Sequence, residues 1–187
     1  MARTISPERV RALVSLGSNI DPWTNMPRAV ELLAARIELT AVSSVYASAA
    51  QGQPESPPFL NAAVELVTDL PARQLKFDVL RPLEREMGRV RSADPNAPRQ
   101  IDLDLSLYGD RVLTLAADGV EVPDPVLAST AHIILPLAEI AGDLRHPESG
   151  ERLTDLARRC AGSQDIRIVG RLRPPGGTRP VPGSRGS

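Results

Sequence analysis

The fold class is α+β, a ferredoxin-like antiparallel sheet with helices packed on it in three α/β/α layers, and three observations predict it. Two successive β-α-β patterns lead the chain, which suits two halves of one such sheet. Apolar residues recur at strand spacing in some segments and at helical spacing in others. At 187 residues, 42% of them hydrophobic, the chain can bury one good core and is too short for two comfortable domains. The domain is expected over residues 1–165, with a disordered tail over residues 166–187.

Val10 to Leu16 is a short apolar run ending at Gly17-Ser18-Asn19, a buried strand entering a turn. A helix follows, with Asp21 as its cap, Pro22 in its first turn, and Ala29, Val30, Leu32, Leu33 and Ile37 as its apolar face. Ile37 to Tyr46 is a β-rich segment. Gln51 to Pro58 is too polar and proline-rich for regular structure and reads as a surface loop. Phe59 to Thr68 is the next strand. Pro71 opens a second helix carrying Leu75, Val79, Leu83 and Met87, which Pro82 should kink or divide and Gly88 should stop. Arg89 to Arg99 is a basic, proline-punctuated loop. Beyond the strand that follows it, Gly109-Asp110 is a turn and Arg111–Leu113 and Val120–Val122 are short strands. Thr130–Ile140 reads as a helix interrupted or started near Pro136, and Arg152–Arg159 as one more helix. From Arg171 onward almost nothing apolar is left to bury.

The strand after the basic loop is the most informative stretch. Residues 98–107 read Pro-Arg-Gln-Ile-Asp-Leu-Asp-Leu-Ser-Leu. On a strand, Ile101, Leu103, Leu105 and Leu107 face one way and Asp102, Asp104 and Ser106 the other. Two carboxylates about 7 Å apart on one face repel unless a positive group intervenes. A hard divalent cation such as Mg²⁺ meets that need, taking one or two carboxylates and completing its shell with phosphate and water. A half-buried strand with a solvated acidic face gives the same alternation.

The formal net charge of −1, with no basic block, argues against nucleic-acid or membrane-surface binding by bulk charge. Lys76 is the one lysine among 22 basic residues, so the cationic chemistry is that of arginine, suited to phosphate. The single cysteine, Cys160, excludes an internal disulfide and a C-x-x-C metal motif. No apolar run has membrane length, and a soluble, cytoplasmic monomer is expected.

Leu16-Gly17-Ser18-Asn19, Phe59-Leu60-Asn61-Ala62, Gly88-Arg89-Val90-Arg91 and Pro98-Arg99-x-x-Asp102-Leu103-Asp104 occur in this order and at these separations. Together they resemble the 6-hydroxymethyl-7,8-dihydropterin pyrophosphokinases of folate biosynthesis, over about residues 10–160. The resemblance implies a ferredoxin-like core and transfer of pyrophosphate from ATP to the pterin hydroxymethyl group, with release of AMP. It implies that Asp102 and Asp104 hold two Mg²⁺ ions, with ATP as co-substrate. It makes Arg89 and Arg99 the catalytic, phosphate-contacting arginines and adds Arg91 and Glu84 on the ATP side. It assigns the pterin to Ser48, Gln51, Phe59, Asn61 and His132. This sequence departs from the family pattern at Asn96, Asp124 and Thr130, where a tryptophan, a histidine and an arginine are common. Three other readings are a catalytically impaired pterin- or nucleotide-binding homologue, a two-metal nucleotidyl transferase on a ferredoxin-like sheet, and a purely structural module, which would leave the clustering of the four motifs unexplained.

Overall fold

The computed structural model describes residues 8–48, 58–90, 97–115, 120–162 and 165–174. The first strand, β1 (Val10–Ser18), runs through the glycine where the sequence suggests a turn. Ala12, Val14 and Leu16 enter one buried cluster and Leu13 a second. Both faces of β1 are therefore covered, which is why its sequence is nearly continuously apolar.

Helix α1 (Pro22–Ala34) has the expected proline in its first turn, where a missing N–H goes unnoticed. Asp21 stands at the cap position without making a side-chain capping bond. Its backbone is left-handed, with φ 40°, whereas a capping side chain reaches the first N–H groups from extended backbone. The Asp21 carbonyl accepts instead from the N–H groups of Thr24 and Asn25, and Asn25 Nδ2 donates to the Ile20 carbonyl.

Strands β2 (Glu38–Val42) and β3 (Ser44–Ser48) follow one another along the same edge of β4 (Phe59–Thr68). The β-rich segment is thus one strand interrupted at Ser43. Pairing survives the interruption because the Ser43 hydroxyl accepts from the Ala63 N–H at 2.8 Å while the Ser43 N–H donates to the Ala63 carbonyl at 2.9 Å.

The second helical segment comprises α2 (Ala72–Gln74), a π-helical stretch (Leu75–Leu80) and α3 (Arg81–Glu86). The segment divides just ahead of Pro82, as the proline suggests: the π-helical stretch gives way to α3 between Leu80 and Arg81. A proline offers no N–H and its ring crowds the carbonyl four residues back, and widening to i→i+5 bonding relieves both. Gly88 ends the segment in left-handed backbone.

Strand β5 (Asp102–Tyr108) leads to a ribbon of β6 (Leu113–Leu115) and β7 (Val120–Val122), the first strand beginning two residues later than the sequence suggests. Helices α4 (Ala131–Ala141) and α5 (Leu153–Cys160) lie where expected, but α4 is one helix running through Pro136 and is neither interrupted nor started there. The domain does not end at residue 165, because β8 (Ile166–Arg171) pairs with β3. That short run carries the β-branched Ile166, Ile168 and Val169 and takes the β3 edge for its partners. Gly170 also lets the Trp23 indole of α1 lie against β8, since a Cβ there would come within 2.5 Å of the ring. Residues 175–187 of the expected tail and 51–57 of the expected loop lie outside the described residues.

The sheet order is β5-β1-β4-β3-β8, with β2 also on β4, and every neighbouring pair is antiparallel. One face is covered by α1 and the second helical segment, through Met26, Leu33, Leu75 and Leu83. The other is covered by α4 and α5, through Ile134, Leu137 and Leu156 against Leu13, Ala63 and Leu107. These are the three layers of the expected α+β fold. Leu13 is fully buried at the centre of the second interface. Leu13→Ala should cost about 2–5 kcal/mol, seen as a lower denaturation midpoint with an unchanged slope in urea.

Candidate active site

Asp102 and Asp104 lie at the start of β5, on the face opposite Ile101, Leu103 and Leu105, which are buried in the first cluster. Leu107 does not follow those three. The register with β1 shifts by one residue, from Val14↔Leu105 to Leu13↔Leu107, leaving Ser106 as the extra residue of a bulge. Ser106 and Leu107 both turn to the α4–α5 side: the Ser106 hydroxyl lies 2.6 Å from that of Ser15, and Leu107 joins the second cluster. The acidic face is thereby confined to two carboxylates at one end of the strand.

The register places Gly17 of β1 between Asn61 of β4 and Asp102 of β5. A Cβ on Gly17 would lie 3.8 Å from both Asn61 Oδ1 and Asp102 Cβ, so glycine leaves a shallow floor between an amide and a carboxylate. The residues after Gly17 organise the entry to β5. Asn19 Oδ1 accepts from the Arg99 N–H at 2.8 Å, the N–H groups of Asn19 and Ile20 donate to the Arg99 carbonyl, and Ser18 Oγ donates to the Gln100 carbonyl at 2.6 Å.

Arg99 and Arg89 meet on Asp102. Arg99 donates to Asp102 Oδ2 at 2.6 Å and Arg89 donates to Oδ1. Burial raises the Asp102 pKa, but the hydrogen bonds and charges of the two arginines outweigh it and hold this carboxyl below the usual aspartate range. Arg89 also donates to Glu84 Oε1 at 2.8 Å, and the same oxygen accepts from the Leu103 N–H at 2.8 Å. Glu84 is therefore buried, where an exposed helical glutamate would be the default. Burial raises its pKa against the opposing Leu103 hydrogen bond and Arg89 charge.

Asp104 is half exposed, and its Oδ1 accepts from Lys76 Nζ at 2.8 Å. Lys76 is buried in the π-helical stretch and also donates to the Leu103 carbonyl at 2.8 Å. A cavity of about 400 Å³ opens beside this cluster, lined by Arg81, Glu84, Arg85 and Arg89.

On the β4 side, Asn61 Nδ2 donates to Ser48 Oγ at 3.0 Å, which fixes the amide and leaves Oδ1 over the Gly17 floor. The Phe59 ring lies 5.7 Å from the Arg99 guanidinium carbon. Ser48, Phe59, Asn61, Arg99, Asp102, Asp104, Arg89 and Glu84 thus form a continuous chain of neighbours. His132 is in the first turn of α4, with its pKa lowered by burial despite the nearby Asp124. Asp124 follows Pro123; its N–H donates to the Ser106 carbonyl at 3.0 Å, and burial raises its pKa, reinforced by the charge of Asp104. Thr130 stands at the α4 cap position without a side-chain cap bond. Gln51, Arg91 and Asn96 lie outside the described residues.

The sequence reading missed Lys76 and the floor role of Gly17. The single lysine in an otherwise arginine-only chain was a usable signal. No sequence pattern showed that the helix widens and delivers it to β5.

A family model described as 7,8-dihydro-6-hydroxymethylpterin-pyrophosphokinase matches residues 13–142. The 2-amino-4-hydroxy-6-hydroxymethyldihydropteridine pyrophosphokinase of Synechocystis is 38% identical over 148 residues, covering 78% of this chain and 73% of that protein. The protein of the same name from Pseudomonas aeruginosa is 36% identical over 153 residues, covering 80% and 91%. Among solved structures, a triple mutant of the Plasmodium falciparum HPPK-DHPS protein aligns with a TM-score of 0.65 at 11% identity, over 83% of this chain. This chain spans 45% of that longer one, and the likeness is one of fold.

The depressed Asp102 pKa sets a pH signature. Its contribution to stability is complete above the unfolded-state value of about 3.9 and is lost as pH falls through the lower folded-state value. Asp102→Asn should destabilise the protein by about 1–3 kcal/mol at neutral pH. In denaturant titrations across pH, that difference should persist to pH 4 and shrink only below it.

Proposed function

Because the chain belongs to the 7,8-dihydro-6-hydroxymethylpterin-pyrophosphokinase family, we propose that it transfers the terminal pyrophosphoryl group of ATP to the hydroxymethyl oxygen of 6-hydroxymethyl-7,8-dihydropterin, releasing AMP. The observation that carries this reading is the row Asn61–Gly17–Asp102 across three adjacent strands. It sets a neutral hydrogen-bonding amide beside charged groups suited to phosphate, with nothing bulkier than glycine between them.

In this reading the pterin lies over Gly17. Asn61 Oδ1 accepts from its ring N–H or amino group, Ser48 holds the amide in that orientation, and Phe59 packs on the heterocycle. His132 closes the pterin site from α4, and Gln51 contributes from the segment before β4. The triphosphate takes the side of Arg89 and Arg99, with the cavity lined by Arg81, Glu84, Arg85 and Arg89 beside it; the family resemblance adds Arg91 as a further phosphate contact. Glu84 serves ATP through Arg89, which it orients.

Asp102 and Asp104 fit Mg²⁺ by the chemistry of their donors. They are hard oxygens on one strand face, and no group of three or more metal-ligating side chains occurs among the described residues. That matches an ion which takes one or two carboxylates and fills its shell from phosphate and water. Two Mg²⁺ ions held by Asp102 and Asp104 would supply positive charge that offsets the charge of the phosphates during transfer. The present partners of Asp102 give the arginines a second task. Both arginines donate to Asp102, and a triphosphate offers each guanidinium a better-matched anion, whose binding would uncover the carboxylate. Both arginines then stabilise charge on the transferring group, which is most of what such a transfer requires of a protein. A monomer suffices for every group named.

Incubation with Mg²⁺, ATP and 6-hydroxymethyl-7,8-dihydropterin should yield AMP equal to the pterin consumed. ADP as the only nucleotide product, or turnover independent of pterin, would overturn the assignment. Asp102→Asn and Asp104→Asn should each lower kcat by about 10²-fold or more, with native circular dichroism retained. Gly17→Ala places a methyl on the floor without a clash. It should fold normally and raise KM for the pterin by about 10–100-fold, the size of a modest steric conflict.

A further inference from the structure

The cations around the carboxylates differ in how they are held. Arg89 and Arg99 flank the basic loop and reach Asp102 from its two ends. Lys76 is held by the fold itself: its side chain is 3% exposed, it stands on a π-helical turn, and its ammonium is tied to a main-chain carbonyl of β5 as well as to Asp104. π-helical turns are costly and are found disproportionately at functional sites. This one turns a buried lysine toward the outer edge of β5, beside the Glu84 carboxylate that takes the Leu103 N–H. The negative groups nearby are Glu84, Asp102, Asp104 and Asp124, and Asp124 senses the charges of both Asp104 and Lys76.

We propose that Lys76 is a positioning residue of the metal wall: it pins Asp104 by Oδ1, presents Oδ2 to the cleft, and acts as a fixed cation that limits the wall's affinity for divalent ions. The inference rests on the reading of Asp102 and Asp104 as metal ligands. When the arginines turn to a triphosphate, Asp102 loses two positive neighbours, but Asp104 keeps its own. The wall then presents one uncompensated carboxylate and one tethered, charge-balanced carboxylate. A divalent ion can be held there mainly together with phosphate, and released with product. A lone surface lysine could not do this, because its charge would be screened and its position averaged.

Lys76→Met removes the charge at similar length, and Lys76→Gln removes it while keeping an N–H donor for the strand edge. Mn²⁺ binding is followed by electron paramagnetic resonance, without pterin, with and without α,β-methylene-ATP, so no turnover enters the measurement. Both variants should bind Mn²⁺ about tenfold more tightly than the parent, the scale of one unit charge a few ångströms from a divalent ion under near-aqueous screening. Their kcat at saturating Mg²⁺ should fall at least tenfold in the same preparations, with KM for the pterin within twofold. A lysine that merely stabilises the fold would leave Mn²⁺ affinity unchanged or weaken it, and either result overturns the proposal. So would unchanged kcat, or loss of fold in both variants, which would assign Lys76 to closing the strand edge alone. If the parent and both variants all fail to bind Mn²⁺ with the nucleotide present, the metal assignment of Asp102 and Asp104 fails first, and this inference with it.

Discussion

The antiparallel pairing of β1 with β4 on one side and β5 on the other is the constraint on which the rest of the structure depends. It brings together segments more than forty residues apart in sequence and fixes their register residue by residue. Because side chains alternate along each strand, the register decides at once which residues enter the core and which share the cleft. A slip of one residue between β1 and β5 would carry Asp102 and Asp104 away from Asn61 and into the layer now filled by Leu103 and Leu105. The burial of those leucines therefore also enforces the position of the carboxylates. The bulge at Ser106 belongs to the same logic. It reverses the alternation once the acidic pair is past, so that Leu107 can serve the α4–α5 core.

The charges near β5 are organised around its outer edge. An unpaired strand edge exposes main-chain donors and acceptors that must be satisfied or covered. Here Glu84 takes the Leu103 N–H and Lys76 takes the Leu103 carbonyl, so two ionised side chains complete the edge in place of another strand. Each then reaches a charged neighbour: Glu84 accepts from Arg89, and Lys76 donates to Asp104. The same atoms thus close the strand edge and fix the charges beside it. The π-helical stretch makes the combination possible, because the extra residue in its turn brings Lys76 to β5.

The arginines occupy a middle ground between structure and chemistry. Asn19 and Ser18 anchor the main chain at Arg99 and Gln100, so the end of the basic loop is fixed to β1 even though the guanidinium has alternative partners. An arginine can leave a carboxylate for a phosphate with little loss, since both accept its planar fork. Asp102 and the arginines thus protect one another from unpaired burial.

The alternation at residues 101–105, the apolar run of β1, the Phe59–Thr68 strand and the Pro22 helix start were legible because each is a local pattern with a local cause. The family motifs were legible for a related reason: they are short strings whose residue types already state their chemistry. The capping role given to Asp21, the face given to Leu107 and the boundary at residue 165 were not settled by such patterns. Asp21 depends on a left-handed turn, Leu107 on a bulge against β1, and Ile166–Arg171 on the edge of β3. By itself the sequence determined most of the strands and helices, and it offered Asp102, Asp104, the arginines and Asn61 as candidates for metal, phosphate and an amide-rich ring. Only the tertiary structure decided that Asn61, Gly17 and Asp102 form one row and that the single lysine meets Asp104, because register and helix widening are settled between segments distant in the chain.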